Sequence, residues 1–169
     1  MPAIAYEDLV PGQVIDLGTT TIDRDEMVDF ARRFDPQPFH IDEEAGKDSI
    51  LGGLCASGWY TASLWMRAYV DHLLADSTSQ GSPGGRDLTW TAPVYPGDTL
   101  RFLLTVNDRR RSTSKPGLGL IEVTGTANRE NGTVSASEMV AEAPASAGDK
   151  GNSEQVMTFT FLAMFTTRE

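Results

Sequence analysis

Apolar residues recur at Met27, Phe30, Ala31 and Phe34, the i, i+3, i+4, i+7 spacing of a helix that packs one face on a core. Asp23-Arg24-Asp25-Glu26 just ahead of them predicts the helix start. A carboxylate at the cap accepts backbone N–H bonds, and Glu26 follows three positions later. The helix must stop near Asp35, because Pro36 disfavours helical geometry in the residue before it. A second, longer helix is predicted over residues 54–75, where apolar side chains such as Trp59, Tyr60, Trp65, Met66, Tyr69 and Leu73 fall on nearly every face. A helix apolar all round is buried all round, and this one would run about 33 Å.

The remaining segments read as strands. Residues 14–22, following Pro11-Gly12, have the Val, Ile and Thr content of a first strand. Further strand-like runs lie at 87–95 and 99–108, joined by the turn signal Pro96-Gly97-Asp98. Two more follow at 118–127 and 156–166, the last being the most β-prone segment of the chain. Residues 77–85 are a Ser/Gly/Pro loop and 109–117 a polar loop. Residues 133–153, 11 of them Ala, Ser or Gly, read as a flexible insertion in which 135–141 could form a short extra strand. Helices segregated from a run of strands predict an α+β fold, a single curved antiparallel sheet wrapped around the long helix.

Composition narrows the function classes. A length of 169 residues predicts one domain, and 40% apolar with 22% charged residues is an ordinary globular mix. Fourteen Lys and Arg against 24 Asp and Glu give a net charge of −10, which disfavours nucleic acid as a partner. One cysteine, Cys55, cannot form an intrachain disulfide, so a reducing, cytoplasmic setting is expected. The N-terminus has no secretory signal pattern. The longest apolar stretch, residues 51–74, is broken by Gly52, Gly53, Gly58, Arg67 and Asp71, so no membrane span is expected. Two histidines and one cysteine are too few for a zinc site, and no metal is expected.

The densest chemical signal is Phe34-Asp35-Pro36-Gln37-Pro38-Phe39-His40-Ile41-Asp42. A carboxylate and an imidazole stand five residues apart across two prolines, each of which locks its own φ and biases its predecessor. Such a spacer can hold two side chains toward one point, where together they hold and activate a water. The plainer reading makes Asp35 a helix terminator and His40 a core residue satisfied by a carbonyl.

Residues 34–45, followed by Gly52-Gly53-Leu54-Cys55-Ala56-Ser57-Gly58, resemble the MaoC-like dehydratase family, the (R)-specific enoyl-CoA hydratases of hot-dog fold. That family's motif is Asp, any residue, Asn, Pro, an apolar residue and His; here it reads Asp35-Pro36-Gln37-Pro38-Phe39-His40. The resemblance covers residues 6–108 and the last strand, and includes the turn Pro93-Val94-Tyr95-Pro96-Gly97-Asp98. Gln37 departs from the motif's Asn, and 133–153 has no counterpart.

The resemblance implies a hot-dog domain over 1–169 that adds water to a trans-2-enoyl-CoA thioester. His40 takes the water's proton, and Asp35 orients the water and helps deliver a proton to the substrate. The enolate oxygen needs fixed donors, which backbone N–H groups at a buried helix start can supply. Gly58 matches the family glycine there; the alternative for it is close helix–sheet packing. Gln37 and Ser57 would shape the site. Arg109, Arg110 and Arg111 are either contacts for the coenzyme A phosphates or part of a solvated loop. Ser82 and Gly84 either shape the pantetheine entrance or belong to a flexible loop. Cys55 is expected to be an apolar filler, and His72 a helix-end dipole partner. No cofactor is implied beyond coenzyme A as part of the substrate, and a homodimer is expected, joined through the open sheet edge. A hot-dog thioesterase and a non-catalytic acyl-CoA-binding homologue are the alternatives.

Overall fold

The computed structural model describes residues 3–130 and 153–168. The expected extra strand at 135–141 and all but the last residue of the insertion at 133–153 fall outside the described residues. Strands β1 (Val14–Thr21), β2 (Gly84–Trp90), β3 (Thr99–Arg111), β4 (Leu118–Arg129) and β5 (Glu154–Thr166) form one antiparallel sheet in the order β1-β3-β4-β5-β2. Helices α1 (Arg24–Phe34), α2 (Pro38–Ile41), α3 (Glu43–Asp48) and α4 (Gly58–His72) lie between β1 and β2 in the chain. This is the predicted α+β arrangement of one sheet and one central helix.

Period-two alternation builds the inner face. Leu100, Phe102, Leu104 and Val106 of β3 and Ile121, Val123 and Ala127 of β4 are buried, each large one stabilising the fold by about 1.5–3 kcal/mol. Against them lies Trp65 of α4, 1% exposed, whose Nε1–H donates to the Leu103 carbonyl at 3.1 Å. Gly125 in the middle of β4 lets it come that close, since a Cβ there would stand 2.7 Å from the indole. The helix start is as predicted: Asp23 caps α1, accepting from Glu26 N–H at 2.8 Å. Met27 and Ala31 are buried, but Phe34 is 61% exposed, so the expected apolar stripe ends one turn early.

Several boundaries differ from expectation. The central helix runs over 58–72 rather than 54–75 and is about 22 Å long. Ser57 stops it at the front, its hydroxyl accepting from Trp59 N–H at 3.3 Å. Nor is it buried all round: Tyr60, Thr61, Trp65, Ala68 and Tyr69 face inward, while Trp59 and Met66 are 56% and 46% exposed. Strand β2 begins inside the predicted loop 77–85 and ends at Trp90 instead of continuing to residue 95. Pro93, which has no N–H, cannot extend the ladder. Residues 109–111 are not a loop but the end of β3, where Arg109, Arg110 and Arg111 pair with Ile121, Leu120 and Gly119.

Candidate active site

Local backbone chemistry turns the Asp35–His40 segment back on itself. Asp35 ends α1, its N–H bonded to the Ala31 carbonyl at 2.8 Å. Gln37 is extended, as a residue before proline must be, and Pro38 then opens the short helix α2 at its first position. His40 therefore sits on a helical turn that faces Asp35. The stiffness expected of the two prolines is expressed as an extended step followed by one turn.

The two side chains meet. His40 Nε2 lies 3.4 Å from Asp35 Oδ2, and the imidazole is 8% exposed. On its other side, Nδ1 contacts the Cys55 carbonyl at 2.8 Å. A carbonyl only accepts, so the proton of neutral His40 sits on Nδ1 and the lone pair of Nε2 points toward Asp35. At that separation only a proton fits between the two acceptors, and a water within hydrogen-bond reach of both has to sit beside the pair.

Asp35 is held as firmly. Ser57 Oγ–H donates to Oδ2 at 2.7 Å, and Gln37 Nε2–H donates to Oδ1 at 2.7 Å. Burial raises the carboxyl's pKa, but the Ser57 and Gln37 hydrogen bonds and the nearby His40 outweigh it, so Asp35 lies below the usual carboxylate range. Its hydrogen bonds stabilise the fold above the unfolded-state pKa and are lost as pH falls through the lowered one. Ser57, fully buried, thus both caps α4 and holds Asp35. Gln37, a departure from the motif expected to shape the site, is a second anchor for the carboxylate.

His40 and Gly58 line a cavity of about 290 Å³, with Phe39, Thr61, Trp90 and Val94 around them. Gly58 opens α4; Ser57 Oγ takes the Trp59 N–H and the Ser57 carbonyl takes the Tyr60 and Thr61 N–H groups, so Gly58 N–H is the amide of this turn outside those bonds. A Cβ on Gly58 would fall 2.4 Å from Trp90, whose Nε1–H donates to the Gly58 carbonyl at 3.0 Å. The space at Gly58 is therefore occupied by an indole, the packing alternative left open by the sequence. Cys55 precedes α4 instead of lying on it; burial first, then the Asp35 charge, pushes its thiol up to about 11, so it is no nucleophile.

Other expected residues lie elsewhere. Ser82 and Gly84 border a larger apolar cavity of about 600 Å³, one to two turns further along α4 beside Trp65, Met66 and Tyr69. Arg109 donates to the carbonyls of Tyr6, Glu7 and Leu9 at 3.1–3.3 Å, tying the N-terminal segment to β3. Arg111 pairs with Glu7 at 3.5 Å, and Arg110 is exposed. Within one chain these arginines stand at the far end of β3 from the turn 93–98, about 30 Å away along the strand. His72 Nδ1 meets the Ala68 carbonyl at 3.0 Å at the end of α4. Trp90 and the Cys55 carbonyl were not anticipated from sequence; only the alternation of β2 and the apolar run before Ser57 hinted at them. Among the described residues no cluster of His, Cys, Asp and Glu could hold a metal, and no helix is long and apolar enough to cross a membrane.

Residues 8–127 match the family model described as MaoC like domain. A MaoC-like dehydratase from Rhodospirillum rubrum is 30% identical, with a TM-score of 0.75 over 98% of this chain and 99% of that one. An (R)-hydratase from Pseudomonas aeruginosa, 19% identical, shares the fold at a TM-score of 0.66 over 99% and 88% of the two chains. The uncharacterized protein YdeM of Bacillus subtilis is 27% identical over 113 residues, 66% of this chain and 79% of its own length. The architecture is the hot-dog fold.

Proposed function

The chain belongs to the MaoC-like domain family, and on that footing we propose that it is an (R)-specific enoyl-CoA hydratase, working equally in reverse as a 3-hydroxyacyl-CoA dehydratase. One observation carries the reading: a proton-bearing Nδ1 on a backbone carbonyl aims the free Nε2 of His40 at Asp35 beside a cavity. A water held beside the pair, in reach of both groups, gives its proton to His40 as its oxygen bonds to C3 of the trans-2-enoyl thioester. The electron pair of the double bond moves to the thioester oxygen, and the enolate collapses as the proton, passed by way of Asp35, reaches C2. Gly58 N–H, at the start of α4, stabilises the enolate oxygen. Of the three arginines, the exposed Arg110 keeps the reading as a coenzyme A phosphate contact across a dimer, toward the site of a second copy.

The deciding assay uses crotonyl-CoA. Loss of the conjugated enoyl absorbance without thiol release is expected. Thiol release would instead make the chain a thioesterase, and neither change would make it a non-catalytic acyl-CoA binder. Gln37→Asn is expected to hold or raise the hydration rate, because either amide offers Asp35 an N–H and Asn is the family's residue. Gln37→Leu, which removes the donor to a charged acceptor, is expected to lower kcat by about tenfold. A collapse of Gln37→Asn to the level of the Leu variant would show that reach, and not the amide alone, matters.

The reading includes a homodimer in the cytoplasm. All seven residues of β2 are exposed along a sheet edge whose Leu88 and Trp90 are large and apolar, and such edges are paired or covered in stable proteins. A second copy's β2 is the expected cover. Sedimentation at micromolar concentration should give a dimer; a monomer would contradict it.

A further inference from the structure

We propose that Arg129 is a positioning residue for His40, acting through the turn 93–98 and the segment that carries the Cys55 carbonyl; the proposal rests on reading His40 as the base. Arg129 ends β4 on the inner face and is 7% exposed. Its guanidinium serves three acceptors in three directions: Nε–H donates to Asp98 Oδ2 at 2.9 Å, Nη1–H to Glu154, and Nη2–H to the Pro93 carbonyl. Asp98, 2% exposed, also accepts from Tyr95 N–H at 2.9 Å through the same oxygen. The pair thus pins both ends of the turn.

From that turn a short run of hydrogen bonds reaches the imidazole. The Val94 carbonyl accepts from Ala56 N–H at 2.8 Å, and Cys55 N–H donates to the Phe39 carbonyl at 3.3 Å. The Cys55 carbonyl lies between these two anchors and receives His40 Nδ1–H. Moving Pro93 and Val94 therefore moves the carbonyl that fixes both the tautomer and the aim of His40.

A buried ion pair is weak support for stability, since well-packed apolar residues often do as well. What an apolar pair cannot do is hold three acceptors at set angles, and a lysine cannot either. The planar fork with five donors can. Arg129→Lys keeps the positive charge between Asp98 and Glu154 while giving up the fork, so it separates positioning from charge.

The test follows the imidazole ¹⁵N resonances and the kinetics of the full chain. There are two histidines, and His72→Gln assigns them. In Arg129→Lys, and in Arg129→Met if it folds by circular dichroism, His40 is expected to lose its single Nδ1–H tautomer. In the same variants kcat for crotonyl-CoA should fall by about tenfold with KM within about twofold, as slight misplacement does. A folded Arg129→Lys with an unchanged His40 spectrum overturns the proposal, whatever its rate. The tautomer readout needs no turnover, so it stands apart from the hydratase reading, which fails instead if wild-type protein leaves crotonyl-CoA unchanged.

Discussion

His40→Ala is expected to lower kcat for crotonyl-CoA hydration by about three orders of magnitude, and Asp35→Asn by a similar factor, as removal of a general acid–base group does. That is about 4 kcal/mol of transition-state stabilisation. In His40→Ala no group remains to take the water's proton, and the buried Cys55 carbonyl loses its donor, a loss of about 1–3 kcal/mol in stability. His40→Asn, whose Nδ2–H takes the place of Nδ1–H toward that carbonyl but which offers no basic nitrogen, is the control that separates lost chemistry from lost fold. Asp35→Asn keeps the shape but halves the acceptors. Ser57 Oγ–H and Gln37 Nε2–H each now hold one carboxylate oxygen, and an amide has one oxygen for two donors. Steady-state rates beside far-UV circular dichroism check both variants. Near-normal rates in the two would remove the pair from the site.

Much of this arrangement was legible in the chain, and the exceptions share a physical cause. Asp23, Met27 and Ala31 mark α1 because capping and periodicity are local properties. Asp35, Pro36, Pro38 and His40 mark the site because proline acts on its own neighbours. Leu54, Cys55 and Ala56, by contrast, extended the apolar run of α4 on paper. They are buried in a non-helical segment that Ala56 N–H ties to the turn 93–98, and apolarity reports burial, not conformation. The mirror error made Arg109, Arg110 and Arg111 a loop. Polarity reports exposure, and a strand that runs past its core stays a strand where β4 still pairs with it. Residues such as Trp90 and Arg129 owe their place to contacts 32 and 36 positions away, which no local pattern encodes.

Gly58→Ala is the second change expected to have a large effect, a loss of about a hundredfold in kcat/KM from displaced site geometry. Alanine suits a helix better than glycine by roughly 0.5–1 kcal/mol, so α4 itself does not resist the change. The obstacle is Trp90, which a Cβ would meet at 2.4 Å. The indole is 42% exposed within one chain, and displacing it breaks its bond to the Gly58 carbonyl and its edge contact with Trp59. It also opens one wall of the cavity that His40 lines. Melting temperature should therefore change little while turnover drops. The amide of residue 58, offered as an enolate donor, survives the substitution. If crowding of Trp90 is the whole cause, Gly58→Ala made on a Trp90→Ala background should cost almost nothing further, a strong coupling in a double-mutant cycle. Should the loss persist without the indole, the methyl is striking the substrate. Gly58 would then be bare for the thioester's approach and not for the packing of β2 on α4.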